Sequence, residues 1–270
     1  MRRAFLAGAL ASLWLVTPGD AYVLKDDGHG HALHWRRMPV SYLLVADNVP
    51  GGAAGEDAVH RAFRSWTAAS ESLRYEFGGY ASEGVQRNDG RNIVYWVHTG
   101  WPFDSRLAAV TFHYYDTSDG HLVDADVVFN GDRYPWSVDS AGYDIENSAA
   151  HEAGHFGGLG HSAETEATMF AATSAGETKK RTLHADDVAG IEAVYGGTND
   201  ASSSGLAGES DDGGPLGGCF VGGSAERGGV GELLALAAAL AVLRGRRAAS
   251  RLRPPSPIPR GRGSRCRRGS

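Results

Sequence analysis

The sequence predicts an α+β fold of five strands and three helices, on three observations. Five short stretches rich in β-branched and aromatic residues precede residue 130, and one amphipathic stretch at helical spacing interrupts them. Two further helical stretches then follow in the last part of the folded region. In chain order, Val40 to Val45 reads as a strand stopped by Asp47, Asn48 and Pro50. Glu56 to Ser70 reads as a helix with Val59, Phe63 and Trp66 on one stripe, a core-facing pattern. Tyr75 to Phe77 and Ile93 to Val97 are strands separated by a polar loop, and Leu107 to Tyr114 resumes the pattern after Trp101, Pro102 and Phe103. Val123 to Phe129 alternates acid with apolar, as a strand with one wet face would. A helix from Ile145 through Phe156 is capped by Asp144 or Asn147. An irregular polar loop, Ser162 to Thr182, follows it. The last helix runs from Ala185 to Tyr195, with Val188, Ile191 and Val194 at helical spacing and Gly196 and Gly197 as its stop. Asp186 and Asp187 suit the positive end of its dipole.

Composition divides the chain. Met1 to Ala21 carries Arg2 and Arg3, an apolar run from Ala4 to Val16, then Pro18 and small residues, the layout of a secretory signal peptide cleaved after Ala21. The run is short for a membrane anchor. Residues 22–197 form the expected folded domain, and residues 198–231 a Gly/Ser/Asp-rich linker too polar to fold. Residues 232–247 combine the apolar run Leu233 to Leu243 with Arg244, Arg246 and Arg247, and residues 248–270 are basic and read as disordered. The net charge of -6 hides this asymmetry: residues 22–243 hold 14 Lys+Arg against 31 Asp+Glu, and no acid lies beyond them. An acidic body argues against nucleic acid as a partner of the folded part. Both cysteines, Cys219 and Cys266, lie outside the expected domain, so core packing and bound metal must stabilise it. His29, His31 and His34 fall in Tyr22 to Trp35, which reads as a flexible lead-in.

The chemistry concentrates in His151 to His161, HEAGHFGGLGH, an HExxHxxGxxH pattern. Residues four apart share a helix face, so His151 and His155 present two nitrogens to one metal. Gly158 lets the chain leave the helix at positive φ, so that His161 returns as a third ligand. Three protein ligands leave zinc a fourth position, the mark of a catalytic site, because water there loses its proton near neutral pH. Glu152, next to His151, is placed to take that proton as general base and pass it to a departing amine. A bare HExxH is often an ordinary helix; the third histidine, the glycine and the downstream Met169 make zinc the expected cofactor.

HEAGHFGGLGH followed by Met169 resembles the metzincin zinc peptidases, and within them the matrixins, the family of the matrix metalloproteinases. Ser162 after the third histidine is similar to the matrixin pattern, whereas astacins carry Glu there. AFRSW from Ala62 to Trp66 and LHADDVAGIEAVYG from Leu183 to Gly196 are also similar, as is the Leu107 to Phe112 strand. The resemblance covers roughly Trp35 to Gly197. It implies a zincin-like catalytic domain with a twisted, mixed five-stranded sheet, Met169 as a packing floor beneath the metal, and a protein or peptide substrate lying extended along the Leu107 to Phe112 rim. The chain departs from the family in three ways. Ala171 stands where matrixins usually have proline; no PRCGxPD-like segment precedes the domain; and the domain lacks cysteine, which argues against latency by a thiolate on the zinc. A second zinc on His113, His121 and Asp116, or calcium on Asp119, Asp124 or Asp126, is conceivable, but these histidines read better as scattered surface residues.

The segment from Gly218-Cys219 through the arginine cluster resembles myxobacterial-type C-terminal sorting tails, which implies membrane or cell-surface association. The combined expectation is a secreted or surface-retained, monomeric zinc metalloendopeptidase. The alternatives are a catalytically silent, zinc-stabilised binding protein, or a surface-displayed protein with incidental hydrolase chemistry.

Overall fold

A computed structural model describes residues 20–196 and the backbone of residues 216–221. Most of the expected signal peptide and linker, the apolar run with its arginine cluster, and the basic end lie outside the described residues. Five strands form the sheet of the domain: β1 (Val40–Leu44), β2 (Tyr75–Tyr80), β3 (Ile93–Val97), β4 (Leu107–Tyr115) and β5 (Leu122–Asn130), in the order β2-β1-β3-β5-β4. The first four in that order pair in parallel and β4 runs antiparallel to β5, so the sheet is mixed. Three α-helices accompany it: α1 (Ala53–Ala69), α2 (Ile145–Phe156) and α3 (Ala185–Tyr195).

Four short strands were not legible in the sequence. β6 (Trp136–Ser137) and β7 (Tyr143–Asp144) pair only with each other. β8 (Ala172–Thr173) lies within the expected irregular loop, and β9 (Leu216–Val221) within the stretch expected to be too polar to fold. These last two extend the sheet beyond β4 in the order β4-β9-β8.

Successive residues of a strand face opposite sides of a sheet, and here the two sides carry separate cores. Ala109, Ala125, Val127 and Phe129 pack toward Val59, Phe63 and Trp66 of α1 and Ile145, Ala149 and Ala153 of α2. Val110, Phe112 and Val128 pack on the opposite side with Val45, Ala81, Ile93 and Tyr95. α2 is fastened to α1 and to β2 as well as packed. The Trp66 indole donates to the Ala150 carbonyl at 2.8 Å, and the Tyr75 hydroxyl to that of Ala153 at 2.8 Å.

Two expectations about exposure fail. The acidic side of β5 is not wet. Asp124 and Asp126 are fully buried beneath the 81–92 loop, because that loop has backbone N–H groups that need acceptors. Asp126 accepts from Arg87 N at 3.0 Å and Ile93 N at 2.9 Å, and Asp124 Oδ2 from Asp89 N at 2.7 Å and Gly90 N at 2.6 Å. The lead-in is not a free segment either. Lys25 N donates to Gly158 O at 2.9 Å, Gly160 N to Val23 O at 2.8 Å, and the Ala21 and Tyr22 amides to Asp186 Oδ1 at 2.7 and 2.9 Å. His31 pairs with Asp27 at 2.7 Å, so this cluster serves the segment's own turn.

Burial pushes the Asp126 carboxyl up to about 7, against the smaller opposing effect of its two backbone donors. A folded-state pKa above the unfolded value of 3.8 means that the native state binds the proton more tightly. Its contribution to stability is therefore complete below about 4 and lost as pH rises toward 7. Asp126→Asn is expected to remove this component, on the order of a few kcal/mol between those pH values. Urea unfolding of both proteins at pH 4.5 and 7.5, with chelator throughout, reads it as a smaller decline across that interval in the variant.

Candidate metal centre

The helix that carries HExxH starts where it does because Asp144 caps it, its side chain accepting from Asn147 N at 2.8 Å. Asp144 in turn is held by the Arg181 guanidinium, whose Nε lies 2.9 Å from Oδ1. Every residue of α2 except Glu146 is buried, so its two histidines are presented inside the protein.

His151, His155 and His161 converge, with ligand atoms within 4.8 Å of one another. His155 Nε2 and His161 Nε2 are 3.2 Å apart. Tetrahedral zinc with Zn–N bonds near 2.1 Å needs its nitrogens roughly 3.4 Å apart, so the spacing suits a shared cation. The tautomers suit it also. His151 Nδ1 donates to the Thr168 carbonyl at 2.6 Å and His155 Nδ1 to the Leu159 carbonyl at 2.8 Å. A carbonyl can only accept, so the proton of each neutral ring is on Nδ1 and each Nε2 keeps its lone pair. His151 Nε2 is buried and has no hydrogen-bond partner. Buried polar atoms seldom lack one, and a metal ion supplies it. Burial holds both rings well below the usual histidine pKa; for His151 the Lys180 ammonium adds to this, and for His155 its neighbour His151. The rings are therefore neutral, as ligands must be.

The third histidine is delivered by a turn that only glycine permits. Gly158 has φ +96°, and a Cβ there would lie 2.2 Å from the Leu33 carbonyl oxygen. Below the triad, Met169 is 1% exposed, and a Cβ on Gly154 would meet its sulfur at 2.2 Å. The sulfur thus lies against the helix backbone between the two helical histidines and lends no ligand.

Glu152 is fully buried, and its Oε2 accepts from the Thr111 hydroxyl at 2.6 Å. Thr111 belongs to the same side of β4 as Ala109 and His113. His113 is buried rather than a surface residue, and its Nε2 donates to the His155 carbonyl at 2.7 Å. His121 pairs with Asp119 at 2.8 Å, and among the described residues only the triad gathers three metal-binding side chains. Among the described residues, those weighed for a second zinc or calcium form no group of three metal-binding side chains.

Asp187 is the supporting residue that the sequence pattern conceals. It sits in the first turn of α3, as a dipole argument requires, but it is also fully buried. It accepts from Thr168 N at 2.8 Å, Met169 N at 2.9 Å and His184 N at 2.8 Å. It therefore holds the peptide whose carbonyl orients His151. A capping box signals such an acid; its reach to residue 168 is tertiary and has no local signal.

Comparison with known proteins agrees with this geometry. The family model for matrixins, peptidase family M10, matches residues 34–196, more than half of the chain. The chain belongs to the matrixin family. Relatives of this matrixin include Metalloendoproteinase 1 of Glycine max, 34% identical over 52% of the chain, and the neutrophil collagenase of Homo sapiens, 30% identical over 60%. Matrix metalloproteinase-19 of Mus musculus is 33% identical over 60%. The matched stretch covers 45%, 33% and 29% of these relatives, so the chain spans less than half the length of each.

Two outcomes are expected of the matrixin site. Gly158→Ala should destabilise by about 3 kcal/mol, combining a strained φ with an overpacked Cβ, and should weaken zinc binding; urea midpoints and zinc titration report the two effects. The depressed histidine pKa values contribute stability that is present above about 6.5 and lost as pH falls below it, since the unfolded rings then take up protons. Chelator-treated protein should show this slope, His151→Ala should flatten it, and zinc should raise the melting temperature of the parent protein but not of the variant.

Proposed function

We propose that this chain is a zinc-dependent metalloendopeptidase that hydrolyses internal peptide bonds of protein substrates. The observation that carries the reading is the pair of Nδ1-to-carbonyl hydrogen bonds, which turn neutral imidazoles toward one point beside Glu152. His151, His155 and His161 would hold the metal. Zinc, when bound there, supplies Lewis acidity that polarises a carbonyl and makes water nucleophilic at neutral pH. Glu152 accepts the proton of the attacking water and returns it to the departing amine. Thr111, by donating to Oε2, fixes the orientation of that carboxylate. Gly158 and Met169 support the site from the turn and the floor. The side of β4 away from β5, whose Thr111 touches Glu152, is where an extended peptide would take the main-chain pairing that positions a scissile bond.

The organisation supporting secretion is the residue 1–21 pattern, and that supporting retention at the cell surface is the sorting-type tail with its apolar run and arginine cluster. Among the described residues no helix is long and apolar enough to cross a membrane. Residues 22–197 are the proposed catalytic unit, acting as a monomer.

Glu152→Gln is expected to lower kcat/KM by about 10²- to 10⁴-fold while zinc stoichiometry stays at one. A broad peptide library incubated with zinc, and again with chelator, checks the activity; absence of any zinc-dependent cleavage by the parent protein would leave the silent binding protein as the reading.

A further inference from the structure

The strand β9 lies between β4 and β8, on the side of the sheet that borders the metal centre. It pairs antiparallel with β4, with Phe112 opposite Leu216, Thr111 opposite Gly217, Val110 opposite Gly218 and Ala109 opposite Cys219. On its other side it pairs in parallel with β8, where Ala172 stands opposite Phe220 and Thr173 opposite Val221. Cα atoms of β9 also come within 8 Å of those of α2, the helix of the two buried ligands. Gly217 is thus in register with the residue whose hydroxyl holds Glu152, and β9 fills the interval between the β4 rim and the strand that follows Met169.

Three features favour main-chain occupancy by this segment. An unpaired β4 edge would expose a row of amide and carbonyl groups, which another strand satisfies. Gly217 and Gly218 stand at the two positions opposite Thr111 and Val110, and glycine in a strand allows close backbone approach. The 19 residues of 197–215 that join α3 to β9 are enough chain to cover on the order of 60 Å, so the pairing closes within one molecule.

We propose that Leu216–Val221 is an in-cis occupant of the peptide groove, taking the main-chain positions on β4 and β8 that an external peptide would need. An incoming peptide must displace it, so the chain limits its own access. That the displacing peptide is a substrate rests on the peptidase reading above; the occupancy does not.

Hydrogen exchange on the full chain, with its mass confirming that residues 216–221 are attached, tests this directly. Gly217→Pro/Gly218→Pro removes two N–H donors and breaks the ladder, and Phe220→Pro does so at the residue paired with both neighbours. In each variant the β9-facing amides of 107–112 should exchange at least tenfold faster, while those of β3 and the β3-facing side of β5 keep their rates and show that the domain is folded. Excess blocked peptide Leu-Gly-Gly-Cys-Phe-Val should restore protection. The variants should also cleave an external peptide with a severalfold lower KM and unchanged kcat. Unchanged exchange of the β9-facing amides of 107–112 in both folded variants would overturn the proposal, whatever the activity. Faster exchange with no cleavage by any of the proteins would uphold the occupancy and remove the peptidase reading.

Discussion

Two carbonyl groups govern the metal centre. Those of Thr168 and Leu159 each take the Nδ1 proton of a buried imidazole, and only so are both Nε2 lone pairs committed to the same point. Each carbonyl is positioned by something remote from the histidine it serves. Thr168 is held through its amide by Asp187 of α3, and the Leu159 turn by the positive φ of Gly158 and by the lead-in segment at Val23 and Lys25. The last helix, the first residues of the domain and the turn between them are thus parts of one support, with α1 and the sheet as its base.

The same logic extends to Glu152. Its neighbours on α2 are packed against Trp66 and Tyr75, while its carboxylate is met by a hydroxyl from β4. A sheet strand therefore contributes on one side to the proposed proton carrier and along its edge to main-chain pairing. Any displacement of β4 relative to α2 changes both together.

Much of this was legible in the sequence wherever the signal is local. The limits of α2 and α3, the Asp144 cap and the Val59, Phe63, Trp66 stripe follow from periodicity and capping, and the five-stranded mixed sheet follows from the matrixin likeness. What stayed hidden depends on partners distant along the chain. Asp124 and Asp126 look like a solvated strand face until a loop more than 30 residues earlier brings its amides to them. His113 looks like a surface histidine, although its alternation with Ala109 and Thr111 places it on the helix side. β9 carries two adjacent glycines that weaken a strand, and its pairing with β4 and β8 makes it one.

The contact between Met169 and Gly154 has a consequence for chemical damage. Oxidation of a thioether adds an oxygen to sulfur and makes it polar, and here the sulfur lies against helix backbone in a side chain that is 1% exposed. The folded protein shields this methionine, while any oxidation during an opening event would leave a side chain that no longer fits under the two helical histidines. The floor of the metal centre thus records opening of the domain, because oxidant reaches the sulfur far more readily once the native packing is lost.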